Sequence, residues 1–154
     1  MIQATTLLLG GLLFFAAIPA GYCESASISP PETRIICFQD ACFNAEVAVS
    51  QQARVRGLMD REPLQSSQAM LFVFQNPDRY RIWMKHMKGS IDILWLDEDC
   101  RIVGMKEKVP PCTSEPCPTY TSDKQASMVL EIASGTIQRL RLEDGAVCSV
   151  SPSF

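Results

Sequence analysis

The charge-free stretch at the start of the chain limits how much of it can fold into a domain. The first charged side chain is Glu24, and an apolar run from Leu7 to Ile18 leads into Pro19-Ala20-Gly21. This run is shorter than the about 20 apolar residues that a helix needs to cross a bilayer. Residues 1–20 are therefore predicted to be a signal peptide, and we expect a soluble periplasmic or secreted protein with no membrane span after cleavage.

Export would place the seven cysteines in an oxidising compartment, where disulfides are the default. We expect three pairs: Cys37–Cys42 across a hairpin, Cys112–Cys117 in a proline-constrained loop, and Cys100–Cys148. Six cysteines allow 15 arrangements, so this connectivity is a hypothesis. A redox or metal pair at Cys112 and Cys117 is the alternative, but a structural zinc site needs four Cys or His ligands and the chain has one His.

Cys23 is the seventh cysteine, and it leaves two other forms of the protein open. It could carry a lipid, although Tyr22 stands where a small residue normally precedes the lipidated cysteine. The apolar run could also stay uncleaved as an N-terminal anchor. Soluble export remains the preferred interpretation.

The remaining chain has the size of one domain, which we place at residues 34–150. The whole chain carries 14 basic and 17 acidic residues, for a net charge of -3. This balance argues against nucleic acid as a partner. Basic residues nevertheless concentrate in the middle third, so a local cationic surface is compatible with an acidic protein.

Short strand-like segments separated by turns predict the fold class. We expect a hairpin over Arg34–Val49 and further strands at 70–74, 79–87, 91–96, 101–109, 127–132 and 146–150. Of these, the strands 79–87, 91–96 and 101–109 are expected to be antiparallel in succession. Two short helices are predicted at 51–59 and 136–142. The sequence therefore indicates a mainly β, single-domain antiparallel sandwich or barrel with one or two short helices.

The segment 79–86 suggests a binding surface. Period-two alternation on a strand would put Arg79, Arg81, Trp83 and Lys85 on one face. Cations beside an indole can bind a carboxylate, a phosphate or a sugar. The simpler interpretation is an exposed strand face with solvated charges. The candidate ligand-binding residues are Arg81, Trp83, Lys85 and Asp92, with Arg56, Arg61 and Tyr120 as neighbours.

Asp92 and His86 are the residues that an enzyme would use. Asp92 shares a face with Leu94 and Leu96, so it is either a buried partner for a basic side chain or a site carboxylate. A lone His86 is more often structural. The sequence shows no nucleophile–base–orienter trio and no glycine-rich phosphate loop, so no catalytic residue, metal or cofactor is assigned.

Five ordered segments together resemble a known family. They are Arg56-Gly57-Leu58-Met59-Asp60-Arg61, Met70-Leu71-Phe72-Val73-Phe74, Trp83-Met84-Lys85, Ile91-Asp92-Ile93-Leu94-Trp95-Leu96-Asp97, and Pro111-Cys112 through Cys117-Pro118-Thr119-Tyr120. This pattern resembles the domain of unknown function 192 family from about Arg34 to Val150. The resemblance implies a mostly β domain, often behind a signal peptide, and no established activity.

The leading functional interpretation is a non-enzymatic exported module that binds a small anionic or sugar-like ligand. One alternative is a hydrolase-like envelope enzyme that uses Asp92 or His86. A structural or protein-interaction module is another. A concave pocket would favour a ligand, whereas a flat apolar patch would favour a protein partner. The oligomeric state is not predicted.

Overall fold

Nine strands and two short helices form the regular structure of residues 31–152, the part of the chain that the computed structural model describes. The strands are β1 (Thr33–Phe38), β2 (Ala41–Ala48), β3 (Gln68–Asp78), β4 (Ile82–Trp83), β5 (Ile91–Leu96), β6 (Ile102–Val109), β7 (Thr119–Tyr120), β8 (Ala126–Ala133) and β9 (Ser149–Pro152). The helices are α1 (Gln51–Arg56) and α2 (Thr136–Leu140). The predicted signal peptide and Cys23 lie outside the described residues.

Seven strands form one sheet in the order β6-β5-β8-β3-β2-β1-β9, and β4 pairs with β7 in a second, two-stranded sheet. The predicted mainly β class with two short helices is confirmed. The large sheet is mixed rather than wholly antiparallel, because β2 and β3 run parallel. A parallel pair needs a crossover connection, which the segment 49–67 with α1 provides here. The sheet does not close into a barrel.

The predicted succession of three antiparallel strands is wrong at its first member. β5 and β6 are antiparallel, as expected. Within the predicted strand 79–87, however, only Ile82 and Trp83 form a strand, and they pair with Tyr120 and Thr119 of β7. At His86 the backbone φ is 54°, which is incompatible with a continuing strand.

The large sheet is covered on both faces, and β5 shows this most clearly because all six of its residues are buried. Leu94 and Leu96 belong to a core cluster that includes Ile137 of α2, and we call this side the α2 face. Ile93 and Trp95 belong to a second cluster, against which α1 packs, and we call this side the α1 face. A continuous apolar run is what a strand buried on both faces requires.

Asp92 is a structural acceptor on the α2 face, where it is fully buried. Its Oδ1 accepts hydrogen bonds from the backbone N–H groups of Lys108, at 2.7 Å, and Gly135, at 3.0 Å. Its Oδ2 accepts from the backbone N–H of Ile137 at 2.8 Å. The carboxylate thus ties the start of α2 to β5 and β6. Among residues 31–152 it has no basic side chain as a partner, contrary to one of the two predicted roles.

All three predicted disulfides are present. The Cα–Cα distances are 4.1 Å for Cys37–Cys42, 5.3 Å for Cys100–Cys148 and 5.6 Å for Cys112–Cys117. Cys37 stands directly opposite Cys42 in the β1–β2 register, as the hairpin predicted. The bridge between Cys100 and Cys148 holds the segment before β9 against the start of β6, and the backbone N–H of Cys148 also donates to the carbonyl of Cys100 at 2.9 Å.

Replacing Asp92 tests its structural role. We expect Asp92→Ala to lower the free energy of unfolding by roughly 2 to 5 kcal/mol, because three backbone N–H groups lose their acceptor at a buried site. Asp123→Ala, at a fully exposed carboxylate, is the matched control and should change it by less than about 0.5 kcal/mol. Urea denaturation of both variants measures the difference, and equal midpoints would contradict the role.

Candidate functional site

A groove of about 250 Å³ opens on the α1 face. Residues of α1 and the turn after it form one wall, and residues 80–87, which include β4, form the other. β3 and β8 supply the floor, which is largely apolar. Its apolar lining includes Leu58, Phe72, Phe74, Ile82 and Met87. The main polar groups are four cations, Arg54, Arg56, Arg81 and Lys85, and the carboxyl of Glu131.

Two of the cations are held in place by the protein. Arg54 donates from Nη1 to the carbonyl oxygen of Val73 at 3.1 Å, and its guanidinium lies 5.0 Å from the centroid of the Phe74 ring. That ring stacks on Tyr80 with 3.4 Å between centroids. A guanidinium over an aromatic face is an attractive cation–π arrangement. Arg54 therefore lies at one end of a stack formed by its guanidinium and the rings of Phe74 and Tyr80.

Lys85 connects the groove to the disulfide loop. Its Nζ lies 5.6 Å from the centroid of Trp83 and 2.8 Å from Oε1 of Glu115, which lies between Cys112 and Cys117. The hydrogen bond from Lys85, followed by one from the backbone N–H of Cys117, holds the pKa of Glu115 below its usual value. The loop thus places a carboxylate beside the Lys85 end of the groove.

The other two cations have no partner within residues 31–152. The guanidinium groups of Arg56 and Arg81 are exposed, and neither makes a hydrogen bond or an ion pair with a described residue. Trp83 is 44% exposed beside them. Two guanidinium groups with no partner among the described residues, and a partly exposed indole ring, are thus available to a ligand.

Glu131 is the unusual residue of the floor. It is 5% exposed, and its cross-strand neighbours are Met70 on β3 and Ile93 on β5. Within residues 31–152 its carboxyl makes no hydrogen bond and no ion pair. Burial raises the pKa of Glu131 to about 8, because the apolar surroundings disfavour the charged form. At neutral pH the groove floor therefore carries a carboxylic acid rather than a carboxylate.

The structure brings together four of the seven candidate ligand-binding residues, namely Arg56, Arg81, Trp83 and Lys85. Asp92 lies on the α2 face. Arg61 forms an ion pair with Glu46 at 2.7 Å and lies outside the groove lining. Tyr120 packs against the core of the α1 face as the β7 partner of Ile82. His86 is exposed, with Nδ1 at 3.9 Å from an oxygen of Asp60.

The sequence analysis missed Glu131, although the signal was present. The predicted strand 127–132 contains one charged residue between Leu130 and Ile132. A charge inside an apolar strand is a candidate for a buried carboxyl, since charged residues are rarely buried without a role or a partner.

Comparison with known families agrees with the sequence motifs. The DUF192 family model, described as "Uncharacterized ACR", matches residues 34–150. The chain belongs to this family. A UPF0127 protein of Thermococcus kodakarensis is 32% identical over 102 residues, which are 65% of this chain. The chain spans about 60% of the length of that curated relative.

Two solved structures share the fold of this DUF192 chain. A Sinorhizobium meliloti protein, provisionally described as a transcription regulator, has a TM-score of 0.69 and 27% identity, covering 79% of this chain and 94% of that one. A Novosphingobium aromaticivorans protein of unknown function has a TM-score of 0.69 and 24% identity, covering 91% of this chain and 99% of that one.

Neither helix of residues 31–152 is long and apolar enough to cross a membrane. Among the same residues, no three His, Cys, Asp or Glu side chains are grouped so as to hold a metal ion.

The two tryptophans give a direct test of the groove surface. Trp83→Ala should lower the free energy of unfolding by less than about 1 kcal/mol, because the side chain is 44% exposed. Trp95→Ala is the matched comparison and should cost about 3 to 5 kcal/mol, since Trp95 is fully buried on the α1 face. Chemical denaturation measures both, and similar losses would mean that Trp83 belongs to the core.

Glu131 should make stability depend on pH. The unfolded chain ionises this group near its ordinary pKa of 4.5, whereas the folded protein keeps the proton until about pH 8. Between these values the unfolded state binds fewer protons, so the free energy of unfolding should fall by about 1 kcal/mol per pH unit as the pH rises. Glu131→Gln removes this contribution. Denaturation of both proteins from about pH 5 to about pH 8 measures it, and parallel curves would contradict the assignment.

Proposed function

We propose that this protein is an exported, non-enzymatic binding module that holds a small anionic ligand with an apolar body. The observation that carries the proposal is the groove between α1 and β4, in which apolar walls meet a cationic rim. Its volume of about 250 Å³ suits a small molecule. An apolar body would fill the interior while the anionic group stays at the rim.

The two free guanidinium groups support an anion in particular. Arg56 and Arg81 reach the rim from opposite walls, and neither is neutralised by a described residue. Arg binds carboxylates with paired, charge-assisted hydrogen bonds. Lys85 is already paired with Glu115 and is expected to contribute less.

Trp83 supports a planar or apolar group next to the anion. Its half-exposed indole ring lies beside Lys85, so a ligand resting on the ring would be close to a positive charge. A sugar could stack on the same ring. The apolar interior of the groove favours the apolar anion, because a buried sugar would leave many hydroxyl groups without partners.

The positions of Asp92 and His86 favour a binding function over a hydrolase mechanism that would use either residue. The oxygens of Asp92 are occupied by three backbone N–H groups on the α2 face. His86 is exposed outside the groove lining. The concave shape of the site also favours a small ligand over the flat contact of a protein-interaction module.

Export remains part of the proposal. The charge-free N-terminal stretch supports it, as do three disulfides in one small domain. We therefore expect the protein to bind its ligand in the periplasm or in the extracellular medium.

A defined panel of ligands tests the proposal. Phenylacetate and octanoate should raise the melting temperature, since a ligand at about 100 times its Kd stabilises the folded state by about 2.7 kcal/mol. The neutral phenylacetamide and octanamide should have little effect, because they lack the charge. Glucose serves as the sugar probe.

Matched arginine variants locate the site. Arg56→Ala combined with Arg81→Ala should weaken phenylacetate binding about tenfold or more by calorimetry and reduce its salt dependence. Arg139→Ala, at an exposed cation of α2, should bind as the wild type does. Unchanged affinity in the double variant, or no acid binding at all, would refute the proposal. Glucose binding without acid binding would replace the anion with a sugar.

A further inference from the structure

Glu131 is a polar group in the groove that has no role in the proposed binding of an anion at the cationic rim. Its side chain is more than nine-tenths buried and lines the groove floor. Met70 and Ile93 flank it across the sheet, and both are buried apolar residues. Within residues 31–152 nothing accepts a hydrogen bond from its carboxyl. Its oxygens are not sealed from the groove, since no fully buried side-chain oxygen or nitrogen of the described residues lacks a hydrogen-bond partner. A group that enters the groove can therefore complete the hydrogen bonding of this carboxyl in place of water.

The protonation state decides what kind of partner Glu131 needs. The other charged or titratable groups of the groove are Arg54 and Arg56 from the α1 wall, and Tyr80, Arg81 and Lys85 from the opposite wall. None of the four cations lowers the pKa of Glu131, and desolvation is the cause of its rise to about 8. At neutral pH the side chain therefore offers one O–H donor to whatever occupies the floor.

We propose that Glu131 determines the specificity of the groove by donating a hydrogen bond to a neutral acceptor oxygen at the buried end of the ligand. This rests on the proposed function, in which the anionic end of the same ligand lies at the rim. The ligand class is thus a small acid with a carbonyl or hydroxyl oxygen at its other end, such as an oxo acid.

The converse arrangement, an ionised Glu131 paired with a ligand ammonium group, is less favoured. It would require two charges to lose their hydration in an apolar floor, and the rim cations would repel an amine entering the groove. It is nevertheless a distinct outcome of the experiment.

Two acids of the same shape isolate the contact. Levulinate has a ketone oxygen where isocaproate has a methyl group, so only levulinate can accept a hydrogen bond from Glu131. We expect the wild type to bind levulinate roughly fivefold more tightly than isocaproate, by titration followed with NMR. Glu131→Gln keeps an N–H donor and should keep the preference. Glu131→Leu has no donor and should lose it, while binding isocaproate at least as well.

The pH dependence separates a donated hydrogen bond from a structural effect of substitution. In the wild type the preference for levulinate should fade as the pH rises above about 8, because the donor is lost. In Glu131→Gln it should stay constant. Urea denaturation of both variants shows whether each is folded.

Each other result overturns the inference in a recognisable way. If Glu131→Leu keeps the preference, the acceptor is recognised elsewhere. If γ-aminobutyrate binds more tightly than levulinate and Glu131→Gln abolishes this, an ion pair replaces the donated hydrogen bond. If the wild type binds levulinate and isocaproate equally, Glu131 has no role in specificity, whereas the proposed anion site still stands. If neither acid binds while phenylacetate does, the inference falls and the proposed function stands. If phenylacetate fails to bind as well, both fall.

Discussion

Burial of β5 on both faces is the constraint on which the rest of the structure depends. A strand enclosed in this way cannot leave a polar side chain exposed to water, so each carboxyl near it must find protein partners or keep its proton. Asp92 on β5 accepts three backbone hydrogen bonds on the α2 face. Glu131, on the neighbouring strand β8, faces the other way and has no partner among the described residues. The same sheet therefore holds one carboxylate that stabilises the fold and one acid that is available to a ligand.

Much of the fold could be read from the sequence because local patterns determine it. The hairpin with its Cys37–Cys42 pair and the strand at β5 follow from alternation and turn residues. The pairing of the other four cysteines was a hypothesis, which the structure confirms. The parallel pairing of β2 with β3 could not be read from the sequence, since it depends on how the segment 49–67 crosses the sheet. Nor could the pairing of β4 with β7, because the two strands are short and the proline-rich loop lies between them.

The candidate site was predictable in part for a related reason. Arg81, Trp83 and Lys85 lie close together in the sequence, so they share one surface although only Ile82 and Trp83 of this segment form a strand. Arg56 joins them through the tertiary packing of α1. From the sequence, Arg56 could only be recognised as part of a motif shared with the family. For Asp92 and Glu131 the decisive fact is which face of the sheet each side chain occupies. That depends on what covers each face, which no local pattern reveals.

The pairing of β1 with β9 has a consequence for how the domain is assembled. The first and last strands of the described domain are neighbours in the sheet, so the large sheet cannot be completed until the C-terminal segment is present. Sheets with such distant pairings fold slowly, because a long loop must close before the contacts form. Until β9 arrives, one edge of β1 is open to strands of other chains. A chain that lacks its C-terminal segment would therefore expose the hydrogen-bonding edge of β1, which β9 covers in the complete sheet.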